Sequence, residues 1–369
     1  MTGLLMGVGA ADITPTEAVR LAGFLGRQPA VPPLDVADPL GIRVVAVREG
    51  ASTALLVVAD LVGMSAVVSS QVRLAVSSST GVPVEGVLTS CTHTHSGPDT
   101  LLGMDLYEAY VPWLVGQATA AAHQALASLV EVSLGYAEID VPPDLAVNRR
   151  GVAHRSTLQL LDVHSAAGRL ACVVGVGIHP VTHGPDVHVI TADWVGHCRR
   201  AVERALGGSC VVVAGALGDV NPPGGQGYER AGGGVDLARS VGDAVAGLAT
   251  RAAVQTEALG AGLALQHRTI ELPVADSETS RLVSFGSDVV LTELFDWDLG
   301  GLRLRSLPGE PLSGFVDALP TPGPTMTVGL APSWQGYLPH PDQLAGGYED
   351  ELGLGAPAMR LLLEALGAT

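Results

Sequence analysis

Two short histidine motifs carry the chemistry this sequence offers. The first, "CTHTHSGPD" (91–99), sets His93 and His95 two positions apart after an apolar run and before a Gly-Pro pair. Side chains at i and i+2 share a face in an extended segment but lie about 200° apart around a helix, so the pair converges only in strand or loop geometry. The second, "GIHPVTHGPDVHVITADW" (177–194), places His179 directly after an apolar strand-like run, with His183 and His188 following in what reads as a loop at the entrance to a site. Neutral imidazole is a common zinc ligand, and a catalytic zinc takes three protein groups and keeps one position open. Either motif alone reads more readily as hydrogen-bonded loop histidines; two of them at strand ends make a shared metal site on one rim an equal alternative. His123 and His197 fall in helix-like segments, and His154, His164, His267 and His340 lack a neighbouring ligand pattern. These six read as structural or exposed.

The elements that must position the motifs alternate. Runs 41–49 and 53–60 read as strands, 65–80 as a helix closed by Gly81, and "VEGVLTSC" (84–91) as the strand leading into the first motif. An alanine-rich helix is expected over 107–129, then strands in "EVSLGYAEIDV", "STLQLLDVHS" and "RLACVVGVGIHP". Helices over 191–206 and 234–251 flank a strand at 210–216, and the Gly-rich stretch 221–234 reads as a surface loop. Past 255 the periodicity weakens, and Gly, Pro and aromatic residues there could wall a pocket. The expected class is α/β, with mixed β-sheets layered with flanking α-helices, in one domain over 1–369.

Bulk composition narrows the partners. Of 369 residues, 47% are apolar, ample for a large core. Twenty Lys and Arg against 37 Asp and Glu give a net charge of −17, which argues against nucleic acid and anionic bilayers as partners. No apolar run reaches the roughly 18 residues of a membrane span, and the N-terminus lacks the basic start of a signal peptide. Four cysteines without a C-x-x-C pair read as reduced thiols. The expected location is cytoplasmic; oligomeric state is not legible.

With "THTHSGPD", "IHPVTHGPD … ITADW" and "GALGDVNP" in this order, the chain resembles the catalytic domain of the neutral, non-lysosomal ceramidase family. The opening "GVGAADITPTEAVRLAGF", "LPGE" (307–310) and "GYLPHPDQLAGGYE" (336–349) extend the resemblance to both ends; the family's C-terminal β-domain has no room. The resemblance implies that His93, His179, Glu310 and Tyr337 bind Zn2+, with His95 a catalytic or hydrogen-bonding group beside it. It also implies that Tyr348 is a second active-site tyrosine and that an arginine of "AVNRRG", Arg149 or Arg150, serves the site. Asp219 and Asn221 of "GDVNP" fall where substrate is bound.

Elementary chemistry agrees with that set. Amide cleavage needs an activated water, stabilisation of an oxyanion and an acid for the departing amine. His95 is a candidate proton shuttle; Tyr348 and an arginine are candidate oxyanion donors. Asp60, Asp193 and Asp219, near strand ends, are expected either to accept the second N–H of metal-bound imidazoles or to cap helices. One departure stands out: the family's G-D-V-S-P serine is Asn221 here, which excludes a covalent serine route at this position and leaves the substrate open. The expectation is a zinc-dependent hydrolase of a small-molecule N-acyl amide. Acyl transfer or ring closure at the same site, and a non-catalytic zinc-containing ligand-binding protein, remain alternatives.

Overall fold

The computed structural model describes residues 3–24, 27, 31, 34–102, 109–224, 233–344 and 346–368. Residues 107–108 of the expected alanine-rich helix and 225–232 of the Gly-rich stretch lie outside the described residues.

Alternation of apolar side chains along the strands sets the layering. The frame is a nine-stranded mixed sheet. Its first half holds β1 (Leu5–Asp12), β2 (Gly41–Glu49), β3 (Ser52–Ala59) and β4 (Val87–Cys91). Its second half holds β5 (Val130–Asp140), β7 (Thr157–Ser165), β8 (Gly168–Val176), β9 (Ser209–Ala214) and the short β11 (Glu257–Ala258), while the short β6 (Val147–Asn148) and β10 (Val220–Asn221) pair with each other outside it. The order across the sheet is β4-β3-β2-β1-β5-β7-β8-β9, with β11 added beside β5. Only β3/β4 and β8/β9 run parallel. Val84–Gly86, expected as strand, is a 3-10 turn leading into β4.

In β2, Val44 and Ala46 point to one face and Val45 and Val47 to the other. On the first face lie the helices α1 (Ala66–Thr80) and α2 (Tyr110–Ala127), through Val68, Val72, Leu114 and Ala118. The Ser65 hydroxyl caps α1, and Gly81 ends it in the left-handed conformation, φ 75°. Gly7 and Gly9 let α2 ride directly on β1: a Cβ at either would lie 2.1 or 2.0 Å from a carbonyl oxygen of that helix. Over the second half, α3 (Asp193–Leu206) and α4 (Gly234–Ala253) bury Trp194, Val202, Val241 and Val245 against Leu158, Leu160, Val174 and Val212.

The opposite face of the sheet is covered by a second, four-stranded sheet that the weak pattern past 255 concealed. It contains β12 (Leu263–Pro273), β13 (Val289–Leu299), β14 (Leu302–Ser306) and β16 (Thr325–Val328), while β15 (Glu310–Pro311) pairs in parallel with β17 (Tyr337–Leu338). Phe295, Trp297, Leu304 and Met326 pack on Val45, Val47, Leu161, Val173 and Val211. Arg73 of α1 reaches across to Glu293 of β13, and its guanidinium lies 5.0 Å over the Phe295 ring. Four short helices complete the chain: α5 (Glu278–Val283), α6 (Ser313–Asp317), α7 (Tyr348–Glu351) and α8 (Ala356–Ala365). No helix among the described residues is long and apolar enough to cross a membrane.

The large sheet curls until its outer strands can be joined by one segment. Gly329, just past β16, donates its N–H to Ala214 O at the end of β9 (2.7 Å), while Ser90 Oγ of β4 donates to Gly329 O (2.9 Å). The ends of β4 and β8, far apart in strand order, thereby deliver their histidines to one place.

Candidate metal centre and active site

Beyond β4 the chain turns inward at His93, which has φ 74°, a left-handed conformation that costs a non-glycine residue about 1–3 kcal/mol. The turn is held by His93 N donating to Leu61 O (2.9 Å), and His93 Nδ1 donates to the Val62 carbonyl. His179, past β8, donates its backbone N–H to Val220 O and its Nδ1 to Leu217 O, both at 2.8 Å. With both Nδ1 atoms serving as donors, each Nε2 carries a lone pair. Those two Nε2 atoms face each other at 3.0 Å.

Glu310 closes the arrangement. Its Oε1 accepts from Trp334 Nε1 (2.7 Å), while buried Oε2 receives no hydrogen bond among the described residues. That Oε2 lies 3.1 Å from His93 Nε2 and 3.5 Å from His179 Nε2; His95 Nε2 is 3.3 Å from His93 Nε2. Four ligands about 2.0–2.2 Å from a tetrahedral zinc stand roughly 3.3–3.6 Å from one another. Lone pairs and a carboxylate oxygen packed at this spacing repel unless a cation stands among them, so the donor set fits a divalent metal. His93, His95 and His179 form a buried group that could hold one.

Electrostatics favour neutral imidazoles here. Burial, then neighbouring His93 and Arg149, hold His179 well below the ordinary histidine range, and burial followed by His93 and Arg27 does the same to His95. Burial works to raise the Glu310 carboxyl, but His93 and the Trp334 N–H outweigh it and keep Glu310 below its usual value. His93 and His179 are locked in one tautomer by carbonyl oxygens. His95 Nδ1 has no hydrogen-bond partner among the described residues, so nothing there fixes its tautomer.

The polar flank converges on Arg149. Its Nε donates to Glu349 Oε1 (2.8 Å), Nη1 to Asn221 Oδ1 (3.0 Å) and Nη2 to Gly218 O (2.5 Å), with Tyr337 Oη at 3.5 Å. The guanidinium lies 5.8 and 5.2 Å over the rings of Tyr337 and Tyr348, which are 5.7 Å apart. Burial opposes its charge, but the two phenols and Glu349 overcome this and keep it cationic. Tyr337 sits beside Glu310 because β15 and β17 pair them in register. Burial and the Glu310 charge push its phenol well up; Tyr348 is raised to about 12, mainly by burial. Arg150 points elsewhere, to Asp350 at 3.2 Å, so of the two arginines it is Arg149 that lies beside Tyr337 and Glu349.

Three expectations change. Among the described residues no aspartate takes the second N–H of His93 or His179; backbone carbonyls of Val62 and Leu217 do, because the turns after β3 and β9 bring main chain there first. Asp60 instead forms a buried pair with Arg199, and Asp193 accepts from Thr182 N and from His183 Nδ1. His183 is therefore an interior residue rather than part of an entrance, while His188 is half-buried. Asp219 lies beside the site, but its carboxylate is taken up by Ser313 N, Ser313 Oγ and Asn148 Nδ2, each at 2.8 Å. It acts as a strut between β10 and α6. Four of the six histidines read as structural or exposed, His123, His154, His164 and His267, bond to Ser79, Ser156, Asp162 and Glu293.

Sequence reasoning missed Trp334, Glu349 and Gly23. The first two orient Glu310 and Arg149 and had no motif to mark them. Gly23, φ 91°, supports His95: a Cβ there would lie 2.3 Å from His95 Cγ, while Phe24 packs edge-on to the His95 ring and Arg27 Nη2 donates to His95 O (3.1 Å). If His95 serves the zinc-dependent hydrolysis proposed below, Gly23→Ala is expected to displace its ring and cut turnover about 10²-fold with bound zinc unchanged, measured by kcat and metal analysis together. Unchanged turnover would show that His95 placement is immaterial.

No family model matches the sequence, and no curated protein does so either. Solved structures do. A ceramidase complexed with C2 aligns at a TM-score of 0.79 with 16% identity, covering 100% of this chain and 76% of that one. The neutral ceramidase from Pseudomonas aeruginosa aligns at 0.79 and 16%, covering 99% and 74%. The fold is that of the neutral ceramidases. The ceramidase fold accounts for the mixed sheets with flanking helices that the motif order implied, at an identity low enough to leave the chemistry to the residues themselves.

Proposed function

We propose that this chain is a zinc-dependent hydrolase that cleaves an N-acyl amide, working as a single catalytic unit. The observation that carries the reading is the pair of Nε2 lone pairs 3.0 Å apart beside an undonated Glu310 oxygen, set in a ceramidase fold. His93, His179 and Glu310, with Tyr337 as a fourth group, would hold the ion. A bound zinc supplies Lewis acidity and brings the pKa of a water it holds to about 7.

The protein's own groups supply the rest. His95, neutral through burial and free of a tautomer lock, takes the proton of the attacking water and returns it to the nitrogen that leaves as the C–N bond breaks. Tyr348, protonated at neutral pH, and the Arg149 guanidinium offer hydrogen bonds to the oxyanion. Asn221 serves substrate through the orientation it gives Arg149. Four buried free cysteines suit a reducing compartment, and we assign the protein to the cytoplasm.

Mass-spectrometric detection of acid release from a panel of N-acyl amides, ceramide included, tests the reading. Zinc-loaded protein is expected to release acid, and chelation is expected to remove at least about 99% of the rate. Release that is indifferent to chelation sinks the zinc role, and no release from zinc-occupied protein sinks the hydrolase.

A further inference from the structure

A pocket opens directly off the candidate metal centre. His93, His95, Glu310 and Tyr337 form its polar end, and its walls include Phe24, Leu101, Leu102, Leu282, Leu352 and Trp334. Among the described lining residues, Arg149, Asn221 and Tyr348 do not occur. The centre thus has two unlike sides: an apolar recess, and a polar flank where Tyr348, 39% exposed, meets solvent. Among its described lining residues the recess contains one further carboxylate, Asp99, whose Oδ1 accepts from the amides of Leu101 and Leu102 at 3.1 and 3.0 Å.

The recess is short. Its volume is about 100 Å³. A cavity of about 150 Å³ holds one benzene, and pockets for larger ligands run to about 300–1,000 Å³. Four or five carbons are therefore roughly what it admits. Its walls are held: Trp334 is fixed at both ends, by N–H donation from its backbone to Met64 O (2.8 Å) and from its indole to Glu310. Leu282, 43% exposed, marks the mouth.

Resting on the hydrolase reading above, we propose that this recess receives the acyl group and that the substrate class is short-chain N-acyl amides, with acyl groups of about two to five carbons. The departing amine, which must be protonated and hydrated, leaves along the polar flank. Carbons beyond the recess pass Leu282 into water and gain nothing, so a long-chain lipid amide is no better bound than a short one.

The test is calorimetric titration of zinc-loaded protein with straight-chain carboxylates from acetate to dodecanoate, run beside acid release from amides of one fixed amine. Affinity is expected to rise about fourfold per methylene and then level off or fall at four or five carbons. Leu102→Ala is expected to move that break to longer chains by one or two carbons. Affinity that climbs through dodecanoate, shows no dependence on chain length, or breaks at the same length in Leu102→Ala overturns the proposal. A break in binding without chelator-sensitive acid release would leave the acyl recess standing and remove the hydrolase. Release that favours long acyl chains would do the reverse.

Discussion

His179→Ala is expected to strip the protein of zinc and to lower chelator-sensitive acid release by on the order of 10³-fold, since Lewis-acid stabilisation of several kcal/mol is lost at 1.36 kcal/mol per decade. The substitution deletes one of two lone pairs that face each other at 3.0 Å, together with the Nδ1 donation to Leu217 O. Zinc content by plasma mass spectrometry and kcat/KM are read on the same preparation. His179 is buried, so the cavity also costs stability; a folded variant by circular dichroism that keeps both zinc and rate would refute the ligand assignment. A variant that keeps zinc but loses rate would assign His179 to proton transfer instead.

Arg149→Met is expected to lower kcat about 10²–10³-fold by removing an oxyanion donor, and to destabilise the fold by about 3–5 kcal/mol, because Glu349 is left as a buried charge without its partner. The two effects separate in the double variant Arg149→Met/Glu349→Gln. Urea melts should show most of the stability regained, while kcat stays low. Recovery of both would mean that the arginine merely balances Glu349.

How far the sequence carried the reading differs by region. The strands of the first half were legible because burial on both faces makes near-continuous apolar runs, as in "TALLVVAD", punctuated by Gly81 and by Gly-Pro at 97–98. The second sheet was not, since β12 alternates buried and exposed residues unevenly and β13 leaves Val289 and Leu291 in solvent. His93, His95 and His179 were visible as motifs, but nothing local reveals that β4 and β9 end the same sheet on opposite edges and are joined through Gly329. Support by Val62 and Leu217 carbonyls was beyond reach for a plainer reason: a backbone oxygen has no residue type to recognise. Glu310 and Tyr337 came from the family resemblance, and their pairing in β15 and β17 is what brings them side by side.

The joining of the outer strands also bears on how the molecule comes into being. Because Gly329 completes the seam, a nascent chain can form β1–β4 and α1 early, from contacts between near neighbours, yet has no assembled centre until residues past 330 arrive. Pairings over such separations carry a large loop-closure cost and form slowly. Capture of the proposed metal would therefore be a late event in the life of each molecule, and an ion that binds only the closed form would add to the stability of the seam itself. The proposed metal site would then double as the latch of the sheet, with function and completed folding reported by the same few atoms.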